Sequence, residues 1–247
     1  MAQTGGRIVT RIGTAGWNIP RALASRFPES GSSLQRYATC LNAAEINSTF
    51  HRPHKPETFA RWAQAVPAGF RFSVKLPRAI THEGRLLDAG RPLADFIGLI
   101  CHLGDRLGPV LVQLPPSLGF DSDIAGVFFR QLRDVFEGSV VCEPRHPSWF
   151  GLEAEELLTC EQVARVAADP ARVPEAASPG GWGNLAYWRL HGSPRMYYSD
   201  YSTEFLQTLS SKVSVSASSE TWCIFDNTAS GAALGNTLML RDQLRPA

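Results

Sequence analysis

Short apolar runs alternate along the chain with longer stretches in which apolar residues recur at helical spacing. The runs predict eight strands: Arg7 to Gly16, Ala43 to Thr49, Phe70 to Leu76, Val110 to Leu114, Val140 to Arg145, Val163 to Asp169, Leu185 to His191 and Thr221 to Asp226. The stretches between them predict helices at Ser33 to Cys40, Pro56 to Val66, Leu93 to Leu107, Asp123 to Phe136, Glu153 to Gln162, Thr203 to Val213 and Ala232 to Leu244. Pro56 suits a first helical turn, where its missing N–H would have had no partner. Gly108-Pro109 stops the third helix, and Asp123 puts an acidic side chain at the positive end of the fourth. Phe59, Trp62 and Val66 share one apolar helix face, and Leu118, Phe120, Phe128, Phe129 and Phe136 read as packing.

Strands that are each followed by a helix pair in parallel, because parallel neighbours need a crossover connection. Eight such units in 247 residues close most economically as a TIM-type (β/α)8 barrel, in one domain over residues 1–247. A doubly wound open sheet is the alternative. The stretch from Pro170 to Gly183, rich in Pro, Gly and Ala, shows no helical pattern and makes the barrel irregular after strand six. No internal repeat, charge block or shift of composition marks a second domain.

Composition narrows the class. With 44% hydrophobic residues the chain is no disordered segment, and 24 Lys plus Arg against 23 Asp plus Glu, a formal net charge of +1, exclude a strongly basic nucleic-acid coat. No run approaches 18 apolar residues, so no membrane span is expected, and the opening MAQTGGRIVTRIG lacks the apolar core of a secretory leader. Five cysteines, Cys40, Cys101, Cys142, Cys160 and Cys223, stand far apart without a CxxC pair. They read as reduced core residues of a cytoplasmic protein rather than as a disulfide framework, zinc ribbon or cluster site. Asn47-Ser48-Thr49 matches a glycosylation acceptor, which means nothing without a leader.

The predicted strands begin apolar and end polar. Strand two ends in Glu45 and Asn47, strand three in Lys75, strand four in Gln113, and strand five in Glu143, Arg145 and His146. Strand six ends in Asp169, strand seven in Arg189 and His191, and strand eight in Asp226 and Asn227. Alternation puts Glu45 on one face with Asn47, Glu143 with Arg145, and Arg189 with His191, while Ile46 and Leu190 turn toward the helices. All carboxyl ends of a parallel barrel share one rim, so these residues converge on one mouth. Each charge alone reads as a strand-end ion pair. Together they must be mutually paired, open to water or kept for function, because an unpaired buried charge costs several kcal/mol.

Gly13-Thr14-Ala15-Gly16-Trp17, Glu45-Ile46-Asn47-Ser48-Thr49-Phe50, Phe70-Arg71-Phe72-Ser73-Val74-Lys75, Thr81-His82, Gln113-Leu114-Pro115-Pro116, Glu143-Pro144-Arg145-His146, Arg189-Leu190-His191-Gly192 and Phe225-Asp226-Asn227-Thr228-Ala229 together resemble segments of the YecE-like family, also called domain of unknown function 72. The resemblance runs from about Ile12 to the last helix and is specific in combination and order. It implies a TIM-barrel-like fold with an open mouth lined by these residues, and it implies no established reaction. Shape analogy extends to endonuclease-IV-like and xylose-isomerase-like barrels. His51 departs from the pattern, where a tyrosine is more usual.

The chemistry open to this mouth combines cationic donors, Lys75, Arg145, Arg189 and His191, with the carboxylates Glu45, Glu143, Asp169 and Asp226. Arg forks suit planar carboxylate or phosphate oxygens, and Lys adds a point charge. The loop Asn227 to Gly231 enters the last helix with small residues, as an anion site or as an ordinary cap. The leading expectation is an enzyme, a hydrolase, lyase or isomerase, acting on a small phosphorylated or otherwise anionic substrate. Glu143 is the candidate base, Glu45 its partner, and His191 and Asp226 complete the catalytic set. Trp17, Asn47, Lys75, His82, Gln113, Arg145, Asp169, Arg189 and Asn227 are the candidate binding residues. No Walker loop or GxGxxG turn indicates a cofactor.

A metal-dependent phosphoesterase is the close rival, with His82, His146, His191 and the carboxylates as ligands by type, though no HxH or HExxH pair occurs. A glycosidase working through Glu45 and Glu143 is a third reading. From another class comes a barrel that binds a nucleotide, nucleic acid or protein without turnover, with Trp17 and Trp149 stacking a base. Pro194 to Tyr201, with Tyr197, Tyr198 and Tyr201, reads as a lid over the mouth. Oligomeric state leaves no signature in the sequence.

Overall fold

The computed structural model describes residues 9–245. Strands β1 (Val9–Ala15), β2 (Ala43–Ile46), β3 (Arg71–Lys75), β4 (Leu107–Gln113), β5 (Val140–Glu143), β6 (Val163–Arg165), β7 (Ala167–Asp169), β8 (Gly180–Gly181), β9 (Leu185–Leu190) and β10 (Glu220–Phe225) make one sheet. Its order is β7-β9-β10-β1-β2-β3-β4-β5-β6-β8. Every pairing is parallel except β6 with β8. Helices α1 (Ser33–Ala38), α2 (Pro56–Gln64), α3 (Gly90–Ile100), α4 (Ser122–Val135), α5 (Leu152–Cys160), α6 (Thr203–Ser214) and α7 (Ala232–Leu244) supply the crossovers. The architecture is a nearly closed barrel of the TIM type, as expected. Arg7 and Ile8 of the first predicted strand lie outside the described residues.

Closure runs through the predicted sixth strand, which divides at Val166. Its first half pairs with β5 and its second half with β9, so one continuous segment reaches both flanking strands. Val166 itself donates to the carbonyl of Cys142 at 2.8 Å. The Pro170 to Gly183 stretch holds a single 3-10 turn, Pro174–Ala177, and the two-residue β8 laid against β6. Elsewhere the departures are local. The predicted helix Leu93 to Leu107 is α3 followed by a 3-10 segment, Cys101–Arg106, because Gly104 turns to φ 51° and breaks the helical path.

Local chemistry explains the helix starts. Ser32 and Gln35 form a reciprocal capping box on α1, and Asp121 accepts from the N–H groups of Asp123 and Ile124 at the start of α4. Pro56 opens α2 as expected, and Ser202 caps α6. The outward faces of β2 to β5 bury Ile46, Phe72, Val74 and Val112 against α1 to α5, while Trp188, Leu190 and Phe225 pack on α6 and α7. The barrel interior holds Ala43, Leu111, Val141, Ala164, Tyr187, Trp222 and Ile224, with Tyr187 stacked on Trp222 at 5.8 Å. Only Cys142 and Cys223 are core cysteines. Cys101 and Cys160 are exposed, contrary to expectation, because they fall at the ends of α3 and α5 where the apolar face no longer meets the sheet.

Candidate active site

The inward parity of each strand carries the polar residues up to the carboxyl rim. Below them, the Tyr187 hydroxyl bridges Ser73 and Glu45, 2.9 Å from each. Arg189, with no exposed surface, sits at the centre. Its Nε and Nη2 hold the two oxygens of Glu45 at 3.1 and 2.6 Å. Nη1 reaches Glu143 Oε2 at 2.6 Å, and Nη2 also reaches Asp226 Oδ2 at 3.1 Å. His191 spans the remaining gap, with Nε2 3.1 Å from Glu143 Oε1 and Nδ1 3.1 Å from Asp226 Oδ2. Arg145 Nε and Gln113 Nε2 each donate to Glu143 Oε1 at 3.0 Å, and Asn47 Nδ2 donates to Asp226 Oδ1 at 3.4 Å. Five strands thus meet through one buried, charge-assisted network.

The network sets its own protonation. Burial works against an ionised Glu143, yet Arg189, His191 and Arg145 outweigh it and hold the carboxyl well below the usual range. Asp226 is lowered against the same desolvation by Arg189 and His191. Burial would make His191 less basic, but Glu143 prevails and its pKa is raised. An imidazolium that donates through both nitrogens fits its two carboxylate neighbours. Arg145 is raised in the same way, by Glu143 and the adjacent Tyr197 against desolvation.

Lys75 stands apart. Its side chain is buried at the mouth, with Nζ 3.9 Å above the Phe50 ring. Among the described residues no carboxylate lies within ion-pair distance of it; the rim carboxylates are taken by Arg189, Arg145 and His191. Burial, reinforced by Arg189, brings its pKa down to about 8 although Glu45, Glu143 and Asp226 pull the other way. Phe50 comes from the 3-10 segment Ser48–Phe50 after β2, which the Thr49 hydroxyl ties to the Lys75 carbonyl at 2.7 Å. His82, on a π-helical turn (Ala79–Glu83), packs against the same ring at 4.9 Å. Burial, then the positive charges of Lys75, Arg145 and Arg78, lower its pKa to about 4, so it is neutral. Arg145 Nη2 and Asn47 Oδ1 are buried without a hydrogen-bond partner among the described residues.

Three expected binding residues lie elsewhere. Asp169 shares the outward parity of Arg165 and Ala167, and its carboxylate accepts from the Tyr201 hydroxyl at 2.8 Å, away from the network. Trp17 packs edge-on against Trp62 and Phe72 and lines a separate cavity of about 90 Å³ beside Thr228 and Gly231. Asn227 is a brace, donating to the Ser199 carbonyl and to Asn236, both at 2.9 Å. The loop it begins spends two N–H groups internally, Gly231 to the Thr228 carbonyl and Ala233 to that of Asn227.

Trp149 is buried, with its ring N–H on the Leu118 carbonyl, and His146 caps the turn Pro147–Phe150. Of the three tyrosines expected in a lid, Tyr201 is a buried anchor. Tyr198 lies under Arg195, and Tyr197 meets His191 edge-on at 5.8 Å. Sequence reasoning missed Tyr187, Ser73 and Phe50. The first two stand two residues before Arg189 and Lys75, so alternation alone would have placed them on the same face. Among the described residues, no three His, Cys, Asp or Glu side chains are grouped to hold a metal ion, and no helix is long and apolar enough to cross a membrane.

Comparison with known proteins gives a family for the chain. Residues 11–247 match the family model described as "Protein of unknown function DUF72". The UPF0759 protein YecE of Escherichia coli K12 is 30% identical over 147 residues, which cover 59% of this chain and 52% of that protein. The matched segment thus spans about half the length of the curated relative. The crystal structure of a DUF72 family protein from Thermotoga maritima superposes with a TM-score of 0.80 at 25% identity, covering 96% of this chain and 99% of that one. Another, from Enterococcus faecalis, gives 0.81 at 21% identity over 97% and 96% of the two chains, a likeness of fold.

Proposed function

The chain belongs to the DUF72 family, whose description names no reaction, and we propose that it is an enzyme acting on a small phosphorylated or otherwise anionic substrate at the carboxyl rim of the barrel. One observation carries the reading, the charge balance of the mouth. The imidazolium of His191 and the guanidinium groups of Arg145 and Arg189 offset the carboxylates of Glu45, Glu143 and Asp226, and they are paired with them. Among the described residues Lys75 is the rim cation left over, and Arg145 Nη2 is a donor left open. A buried donor without a partner, and a largely buried cation set against an aromatic face rather than a carboxylate, are where an anionic ligand gains most.

The roles follow from these surroundings. Lys75 and Arg145 receive the anionic group, with Asn47 at its edge. Glu143 accepts from Arg189, Arg145, Gln113 and His191, and a carboxylate so saturated orients and charges His191 better than it takes a proton. His191 is then the acid, held in place by Glu143 and Asp226. Glu45 and Arg189 form the rigid floor. A metal-dependent reading draws less support, since Arg189 fills the space between Glu45, Glu143 and Asp226 that an ion would occupy.

Isothermal titration calorimetry with inorganic phosphate and with small carboxylates tests the proposal. The parent chain is expected to bind at least one of them, and R145A at least about tenfold more weakly, the loss of one charge-assisted contact. R145A leaves Glu143 paired with Arg189 and His191, so the variant should fold. Absence of binding to any of these anions, or equal binding by R145A, overturns the reading.

A further inference from the structure

We propose that the Lys75 amine is a covalent nucleophile that forms an iminium with a small aldehyde or ketone bearing a carboxylate or phosphate. The inference deepens the anion-site reading above and rests on it. The chain has three lysines, Lys55, Lys75 and Lys212, against 21 arginines, and Lys55 and Lys212 are exposed. Where this protein needs a fixed buried cation it uses Arg, as at positions 165 and 189. Binding an anion through charge alone would be served at least as well by a guanidinium, which forks onto carboxylate and phosphate oxygens. What an amine adds is a removable proton and a lone pair that can attack carbon.

The surroundings of Lys75 favour that use. It projects into the barrel from the carboxyl end of β3, where barrel enzymes place their reacting groups. Among the described residues no carboxylate holds it as an ion pair, and the Phe50 face covers it at 3.9 Å. With its pKa lowered to about 8, roughly a tenth of the side chain is already the free amine near neutral pH, against less than about a thousandth for an ordinary lysine. The neutral His82 imidazole packs on the same phenyl ring. Arg145 Nη2 is free to hold the substrate's anionic end.

The step is balanced without a further reagent. The amine nitrogen bonds to the carbonyl carbon while the C=O π bond breaks to give a carbinolamine. Counted from the ammonium, two of its three protons leave with the carbonyl oxygen as water, and the third stays on the iminium nitrogen.

Borohydride trapping on the parent chain tests this without depending on a variant that might misfold. The protein is mixed in turn with glyoxylate, pyruvate and dihydroxyacetone phosphate near neutral pH, reduced with sodium cyanoborohydride, digested and mapped by mass spectrometry. The expected result with at least one probe is a reduced adduct on Lys75 at least about tenfold above Lys55 and Lys212, following its larger share of free amine. K75R should give no adduct at position 75, while Lys55 and Lys212 keep the labelling they show in the parent. Labelling spread evenly over the three lysines, confined to Lys55 and Lys212, or absent with all three probes overturns the covalent role. If phosphate or a small carboxylate still binds in calorimetry in that case the anion-site reading stands, and binding of none of these anions by the parent removes that reading separately.

Discussion

Replacing Lys75 by Met should make the protein more stable while removing its function. A free lysine titrates at 10.5 and this one at about 8, and at about 1.4 kcal/mol for each unit of pH the gap amounts to roughly 3 kcal/mol charged against the folded state. That figure already includes the attraction of Glu45, Glu143 and Asp226, which oppose the desolvation. Water reaching the ammonium reduces it, so a gain of about 1–3 kcal/mol is expected for K75M. In a chain of this size that raises Tm by about 2–10 °C. The sign of the pH dependence is fixed by proton counting. Between about 8 and 10.5 the unfolded lysine keeps a proton that the folded one has lost, so the parent gains stability on K75M as pH rises through that window. Urea unfolding followed by tryptophan fluorescence, near pH 7 and again near pH 10, measures both quantities. A variant no more stable than the parent at neutral pH, or a difference that stays constant in alkali, would refute the view that Lys75 is held at a cost.

Three further outcomes follow from the same network. R189M leaves Glu45, Glu143 and Asp226 buried without their shared cation, so it should lose about 3–5 kcal/mol, or about 10 °C or more in Tm by calorimetry; a shift within about 2 °C would contradict the central role of Arg189. His191 is raised by Glu143 and Asp226 against its burial. Its stabilisation is therefore fully present below about 6.5 and lost as pH rises through its higher folded pKa, so the stability difference between parent and H191Q should shrink with rising pH; a difference growing with pH would show that the ring is neutral. In G13A the new Cβ would collide with the Ala43 carbonyl of β2 and stand 3.1 Å from the Tyr37 hydroxyl, both fixed, so expression of soluble protein should fall sharply or stability drop by about 3 kcal/mol or more, and normal unfolding in urea would show that β1 and β2 can part at that point.

What was legible in the sequence rested on parity. A strand shows its face through every second residue, so Glu45, Glu143, Arg189 and His191 reveal by spacing alone that they look inward, and a parallel barrel obliges them to meet. The same rule reaches Tyr187 and Ser73, although a tyrosine and a serine inside an apolar run look like filling rather than chemistry. It fails at Asp169. Counting back from Asp169 through Ala167 to Arg165 gives the outward set, but nothing in Val163 to Asp169 announces which set is inward, since alanines occupy both faces. Only the pairing of the two half-strands with β5 and β9 decides it. The solitary position of Lys75 was equally hidden, because whether an ammonium finds a carboxylate depends on where three other cations have already bound. Arg189 takes an oxygen from each of three carboxylates, and His191 and Arg145 take much of what remains. The amine is thus left free by competition among residues up to 181 positions apart in sequence (Glu45 to Asp226), and the same competition gives the site its polarity. The carboxylates are locked as structure, and among the described residues Lys75 is the rim cation left without a carboxylate partner.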